Sequence, residues 1–217
     1  MTTDQLIALA IFAAVSSVTP GPNNLMLLAS GVNHGVRRSL PHLAGVTLGF
    51  VFLFLCLGFG LQRVFVLYPQ LEVVLRYVGA AYLVWLAWKL AHSAPPIATT
   101  ASANTDLAKQ QGTATSKPMS FASAVAFQWV NPKAIMMAIG AISTYVPSGA
   151  GAWGMLLVGL VFGVINAPMV TCWLLFGSSM RQFLQDPQKR QWFNWIMAAL
   201  LLATLYPVFA PLLLRHS

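Results

Sequence analysis

Acidic residues are nearly absent from this chain, and cysteines and charged residues of any kind are few. Among 217 residues there are 4 Asp or Glu and 2 Cys, while 7% of the residues are charged and 58% are hydrophobic. A soluble domain carries roughly 25% charged residues. The composition therefore excludes an ordinary soluble domain and predicts an all-α integral membrane protein.

The scarcity of acids and cysteines also excludes several kinds of chemistry. The four acids are scattered along the chain, at Asp4, Glu72, Asp106 and Asp186. Hydrolysis or phosphoryl transfer would need a cluster of acids, histidines or serines. Cys56 and Cys172 lie in separate apolar segments and have no metal-ligand spacing. We therefore expect no enzyme activity, no cofactor and no bound metal.

The charge that is present is mainly basic, with 12 Lys and Arg and a net charge of +8. A nucleic-acid-binding protein would concentrate this charge on one face. Here most of it lies beside apolar segments, as the positive-inside rule describes for membrane proteins. We expect contact with anionic membrane lipid and no nucleic-acid partner.

Six apolar segments are long enough to cross a hydrocarbon core of about 30 Å, which needs ~20 residues. We place them at 4–31, 40–66, 69–91, 119–146, 152–177 and 191–214. Residues 93–118 are rich in Ala, Thr, Ser and Pro and predict a flexible cytoplasmic linker. The chain is thus divided into a first three-helix unit at 1–92, the linker, and a second three-helix unit at 119–217.

The first and fourth segments are interrupted by proline. The first contains Thr19-Pro20-Gly21-Pro22-Asn23-Asn24, and the fourth contains Asn131-Pro132-Lys133. These prolines lack the N–H groups that would bond the carbonyls of Ser16, Val18 and Gln128. In lipid, a freed carbonyl costs several kcal/mol unless protein or a water-filled cavity satisfies it. Two broken helices in matching halves indicate a transporter site near the bilayer midplane.

Small residues and prolines recur at nearly one offset in the two units: Pro20 with Pro132, Gly45 with Gly159, and Gly49 with Gly163. The paired glycines are four residues apart, which predicts helix-packing faces. Three crossings per unit place the second copy upside down, so we predict two inverted three-helix repeats with helices 1 and 4 broken.

The distribution of Lys and Arg predicts the orientation. With the N-terminus outside, the cytoplasmic side receives Arg37, Arg38, Lys89, Lys109, Lys117, Arg181, Lys189 and Arg190. The outer side receives Arg63, Arg76 and Arg215. We therefore expect a multi-pass protein of the bacterial inner membrane with both termini in the periplasm. The sequence leaves the oligomeric state open and is compatible with a homo-oligomer.

Lys133 is the sharpest candidate for a binding residue. It lies ~20 Å along its helix from Met119, and a central lysine costs about 2.5–3.5 kcal/mol on insertion scales. The alternative is a lysine that reaches an interface near a tilted helix end. Helix N-termini at Asn23 and Lys133 favour a carboxylate, and the freed carbonyls favour an ammonium. The breaks therefore predict a small zwitterionic substrate.

The expected substrate-binding residues are Thr19, Pro20, Gly21, Pro22, Asn23, Asn24, Gln128, Asn131, Pro132, Lys133 and Asn166. For Asn166, hydrogen bonding between helices is an equally good interpretation. The absence of a central acid disfavours a cationic side chain in the substrate. The histidines, at positions 34, 42, 92 and 216, lie near segment ends, where we expect interfacial rather than proton-carrying roles.

These motifs, together with the segments 43–49 and 80–89, resemble the LysE/RhtB family of bacterial amino-acid exporters. The resemblance covers the chain apart from residues 93–118. Within the family it is nearest to exporters of neutral amino acids of the cysteine/O-acetylserine and homoserine/threonine types. It implies six helices in two inverted repeats and efflux driven by protons. The family motif carries over to Pro20, Gly21, Pro22, Asn23, Asn131, Pro132 and Lys133.

Two other functions are weighed against an exporter. A transmembrane thiol–disulfide electron carrier of similar fold would need two neighbouring cysteines. The residues that precede the prolines of the breaks are Thr19 and Asn131 instead. A channel is the other alternative, but breaks in two helices favour alternating access.

Overall fold

A computed structural model describes residues 1–61, 67–93, 117–147 and 149–206. This part of the chain is helical and contains no strand, which confirms the all-α prediction. Its α-helices are α1 (Thr3–Val18), α2 (Pro22–Cys56), α3 (Pro69–Ala91), α4 (Phe121–Gln128), α5 (Pro132–Tyr145), α6 (Gly151–Met180) and α7 (Pro187–Ala203). A π-helical segment, Leu57–Leu61, extends α2.

The first break separates α1 from α2, and we use this name for residues 19–21. Helix α1 ends at Val18, and Gly21 is extended, with a φ of −177°. Helix α2 begins at Pro22, at a position where a missing N–H group costs nothing because it has no partner inside the helix. The proline motif therefore ends α1 and begins α2.

Helix α2 is folded back on itself at Gly35. That residue has a φ of 75° and a ψ of 173°, a conformation that glycine adopts without a steric penalty. The hydroxyls of Ser30 and Ser39 lie 2.7 Å apart, whereas nine residues span about 13.5 Å in a straight helix. We call residues 22–34 the first arm and residues 36–56 the second arm. Leu27 and Val46, one from each arm, share an apolar cluster.

The second break, residues 129–131, separates α4 from α5, whose axes differ by 60°. Pro132 occupies the first turn of α5. The side chain of Asn131 caps this helix, since its Oδ1 accepts from the Lys133 backbone N–H at 3.2 Å. Both predicted helix interruptions are thus present in the structure.

The described residues contain three stretches that are long and apolar enough to cross a membrane: 22–60, 73–91 and 151–180. The bent pair α4–α5 makes a fourth if it is one span, and α1 is a shorter apolar helix. Residues 94–116 of the predicted linker at 93–118 lie outside the described residues. So do the ends of the second and sixth predicted segments, 62–66 and 207–214. The chain is therefore a helical membrane protein.

Helix α2 is the centre of the packing. It packs most extensively against α6 and also against α4, while α3 packs against α7 and α1 against α6. A Cβ atom added to Gly45 would lie 2.6 Å from the Phe121 carbonyl oxygen of α4. One added to Gly159 would lie 2.9 Å from the Phe54 ring of the second arm. The two glycine pairs therefore approach different partners, α4 and α2.

Gly49 and Gly163 approach the same two partner helices as Gly45 and Gly159, respectively. A Cβ atom at Gly49 would lie 2.8 Å from the Val125 Cα of α4, and one at Gly163 would lie 2.5 Å from the Val51 side chain of the second arm. Close approach of these helices brings the first break, the second break and the middle of α6 together.

Candidate functional site

The two breaks meet through Lys133. Its ammonium Nζ donates to the Thr19 carbonyl oxygen at 2.6 Å, to the Thr19 hydroxyl at 2.9 Å and to the Pro20 carbonyl oxygen at 3.3 Å. All three acceptors are neutral. The cation at the start of α5 therefore binds the backbone that the first break exposes.

Gly21 makes room for this lysine. A Cβ atom at Gly21 would lie 2.7 Å from Lys133 Cδ and 3.1 Å from Nζ. Because the backbone of Gly21 is extended, the need for glycine here is one of space rather than of a left-handed conformation. The lysine side chain thus lies directly against the backbone of the first break.

A second contact between the breaks joins Asn23 to Gln128. Asn23 Nδ2 donates to Gln128 Oε1 at 2.8 Å, and Gln128 Nε2 donates back to Asn23 Oδ1 at 3.3 Å. Gln128 Nε2 also donates to the Ala124 carbonyl oxygen at 2.8 Å. Gln128 is fully buried, and a buried amide needs such partners. This pair fixes the start of α2 against the end of α4.

The carbonyls freed by the first break have donors from the protein. The Thr19 hydroxyl donates to the Ser16 carbonyl at 2.9 Å, and Trp173 Nε1 donates to the Val18 carbonyl at 3.1 Å. Asn24 Nδ2 donates to the carbonyls of Ser17 and Thr19, each at 2.8 Å. In this conformation the carbonyls of Ser16 and Val18 thus each accept a hydrogen bond from the protein itself, and their binding of a substrate ammonium stays a prediction.

Asn166 joins the site from the middle of α6. Its Nδ2 donates to the Ser17 hydroxyl at 2.9 Å, and its Oδ1 is buried without a hydrogen-bond partner among the described residues. The contact between helices expected as one interpretation of Asn166 is present. Asn166 thus lines the site region and retains one unpaired acceptor.

These side chains surround a cavity of about 20 Å³, which we call the central site. It is lined by Ser16, Ser17, Gly21, Asn23, Asn24, Val46, Phe50, Asn131, Lys133, Ala134, Met137, Asn166 and Val170. This volume holds about one water molecule. The conformation is therefore closed, and the protein's own ammonium occupies the acceptors of the first break.

The residues predicted from sequence are brought to one place. Thr19, Pro20 and Gly21 contact Lys133, and Pro22 and Pro132 begin the two helices that leave the breaks. Sequence reasoning missed Ser17 and Trp173. Ser17 had a signal, its place just before the prolines, whereas Trp173 lies in an unbroken apolar helix and had none.

Among the histidines, His42 is buried in the packing of the helices, and its interfacial role stays a prediction. Its side chain is 1% exposed, and neither ring nitrogen has a hydrogen-bond partner among the described residues. His92, in contrast, is exposed, with Nδ1 lying 2.8 Å from the Trp88 carbonyl oxygen. The free cysteines Cys56 and Cys172 do not line the central site. In the described residues there is no group of three or more His, Cys, Asp or Glu placed to bind a metal.

Comparison with known proteins places these features in a family context. Residues 14–216 match the family described as LysE type translocator. A cysteine/O-acetylserine efflux protein of Klebsiella pneumoniae is 35% identical over 206 residues, which cover 93% of this chain and 95% of the relative. The protein of that name from Escherichia coli strain K12 is 33% identical over 211 residues, covering 96% and 100% of the two chains. No solved structure matches the chain.

Proposed function

The chain belongs to the LysE type translocator family, and we propose that it exports small neutral amino acids or their derivatives, cysteine and O-acetylserine among them, from the cytoplasm. It is a membrane transporter rather than an enzyme. The efflux named for the two relatives, which align over nearly their whole length, supports this cargo class. The observation that carries the proposal is the contact of the Lys133 ammonium with the backbone of the first break.

This contact suits an exchange of partners with a zwitterion. A substrate carboxylate would replace the oxygens of Thr19 and Pro20 at the Lys133 ammonium. Those oxygens would then accept hydrogen bonds from the substrate ammonium. The exchange leaves no buried charge unpaired, which would be costly in the membrane. Since the residues lining the central site include no acid, a cationic side chain would lack a partner there.

We include alternating access in the proposal, and the size of the central site supports it. A cavity that holds about one water molecule cannot hold an amino acid, so binding requires a second, open conformation. Separation of the two breaks would open it, because the Lys133 and Gln128 contacts bridge them. We include proton coupling in the proposal on the strength of the family resemblance.

For the membrane arrangement, we propose six spans in two inverted repeats, with both termini in the periplasm of a bacterial inner membrane. The fold-back at Gly35 supports two spans within α2. The proline breaks, each in the first predicted span of its unit, support the repeat. The predominance of Lys and Arg on the predicted cytoplasmic side supports the orientation.

Efflux from preloaded cells tests the function. Cells that express the chain would be loaded separately with cysteine, O-acetylserine, threonine, homoserine and lysine, and the loss of each would be followed. We expect efflux of one or more neutral compounds but not of lysine. Lys133→Ala should abolish this efflux, whereas the control Lys189→Ala, which changes an exposed lysine of α7, should retain it.

Efflux rates are compared between variants that are present in equal amounts in the membrane. Lysine efflux as fast as that of the neutral compounds would contradict the cargo class. Unchanged efflux by Lys133→Ala would contradict the site.

A further inference from the structure

A second and much larger cavity lies beside the arms of α2. Its volume is about 330 Å³, within the range of about 300–1,000 Å³ typical of small-molecule sites. We call it the loading cavity. It is lined by Met26, Ala29, Ser30, Asn33, His34, His42, Tyr82, Trp85, Leu86, Lys89, Leu90, Ser93, Lys117, Pro118, Met119, Ser120, Ser123 and Leu201.

The charge of this lining favours an anionic group. Lys89 and Lys117 contribute two cations. The hydroxyls of Ser30 and Ser123 also line the cavity and are paired with those of Ser39 and Ser120. Lys89 Nζ lies 5.1 Å from the centre of the Trp85 ring. The lining contains no Asp or Glu. A carboxylate would therefore be attracted to the cavity, and a cation would be repelled.

The wall of the cavity also contains an unsatisfied polar side chain, His42. The residue is 1% exposed, and both of its ring nitrogens lack hydrogen-bond partners in the described part of the chain. A neutral imidazole carries one donor and one acceptor, and burying both unpaired is unfavourable. Because both ring nitrogens are covered in this conformation, a polar ligand in the cavity would satisfy them after a small rotation of the ring.

The loading cavity and the central site lie on neighbouring turns of the same two arms. On the second arm, His42 lines the loading cavity and Val46, one turn later, lines the central site. On the first arm, Met26 lines the loading cavity and Asn23 lines the central site. Four residues of a helix span about 6 Å. A ligand would therefore need a short movement past these residues to reach Lys133.

We propose that the loading cavity is a second binding site for the exported amino acid, where its carboxylate lies at Lys89 and Lys117 and its other polar groups face His42. The inference rests on the proposed function and deepens it. It states where the cargo is held before it reaches the central site. Lys89 and Lys117 belong to the predicted cytoplasmic side, from which an exporter takes its cargo.

Equilibrium binding to the purified full-length protein in detergent tests this inference. The probe is ³⁵S-labelled L-cysteine, kept reduced, and the amount bound per chain is measured. We expect two equivalents for the unaltered protein and one for Lys133→Ala. We expect one for His42→Leu and none for the variant with both changes. His92→Leu, which alters an exposed histidine directly after α3, is the matched control and should bind two.

A second variant tests the same site without changing a buried residue. Lys89 and Lys117 are both exposed, so replacing both with Ala should leave folding intact. In the Lys133→Ala background we expect this pair of changes to weaken the remaining binding about tenfold or more. Unchanged binding in that background would overturn the inference.

The outcomes separate the inference from the exporter function. If cells export cysteine but the purified protein binds one equivalent, and Lys133→Ala binds none, the loading cavity is not a cargo site and the exporter function stands. If two equivalents bind and His42→Leu loses neither, the assignment of the second site is likewise wrong. Absence of efflux for every tested neutral compound contradicts the exporter function, whatever the binding result.

Discussion

The two breaks are similar in sequence but supply opposite chemistry. The first, with two prolines and a glycine, presents the backbone oxygens of Thr19 and Pro20 as acceptors. The second has one proline, is closed by the Asn131 cap, and supplies the Lys133 ammonium and the Gln128 amide. Two identical breaks would have presented like groups to each other. Their divergence allows the two halves to bind each other, and in the proposed function a zwitterion would replace these contacts.

Removal of the Lys133 ammonium, which follows the second break, should have the largest effect on transport. We expect Lys133→Met to lower efflux of a neutral amino acid by about 100-fold or more, because the carboxylate loses its charged partner. Initial rates of efflux from preloaded cells would measure it. The Lys189→Met variant is the control, and a loss of less than about threefold in Lys133→Met would contradict the role of the cation.

Crowding the first break should have the next largest effect. Gly21→Ala places a Cβ atom 2.7 Å from Lys133 Cδ, so the lysine must move away from the Thr19 carbonyl. We expect efflux to fall about tenfold or more. Gly140→Ala is the matched control, since its Cβ atom would meet the Phe12 ring at 3.6 Å, an ordinary contact. Equal losses in the two variants would show that the position of the lysine is not what matters.

Uncoupling the amides that join the breaks should have a moderate effect, and mainly on stability. Asn23→Ala leaves the oxygen of the buried Gln128 without its donor, which costs about 1–3 kcal/mol. Gln128→Ala leaves the half-buried Asn23 amide without its partner and should cost less. We expect each change to lower the midpoint of thermal unfolding in detergent. The double variant should lose less than the sum of the single losses, because the two share one interaction. Strict additivity would argue against the pair.

We expect the smallest effect from removing the hydrogen bond that Trp173 of α6 donates to the last residue of α1, Val18. Trp173→Phe removes the N–H group that bonds the Val18 carbonyl at 3.1 Å while retaining most of the ring. We expect a loss of about 1 kcal/mol of stability. Trp153→Phe, at a site that is 83% exposed, is the control and should leave the unfolding midpoint unchanged.

Much of the site could be predicted because proline acts locally. Pro20, Pro22 and Pro132 cannot donate in a helix wherever they lie in the fold, so the interruptions and the helix starts follow from the sequence. The scarcity of acids likewise leaves no carboxylate near the centre of a predicted span to pair with Lys133. These features depend on residue identity and on neighbours within a few positions of the chain.

The identity of the partners could not be predicted in this way. The Asn23–Gln128 pair joins residues 105 positions apart, and nothing in either local sequence selects the other. The same is true of Trp173, which donates to Val18 across 155 positions. The burial of His42 could not be predicted from its local sequence either. Its place near the start of a predicted span suggested an interface, but the packing of α2 buries it.

Residue identities alone predict a helical membrane protein in which two helices break at proline, the second of them beside a lysine. Composition and the missing N–H groups of proline suffice for this, because they act over one helical turn. The tertiary structure decided that the breaks face each other, that the lysine ammonium occupies the exposed carbonyls, and that His42 is buried beside a second cavity. Those outcomes depend on how closely the helices approach at their glycines, which is a property of both partners at once.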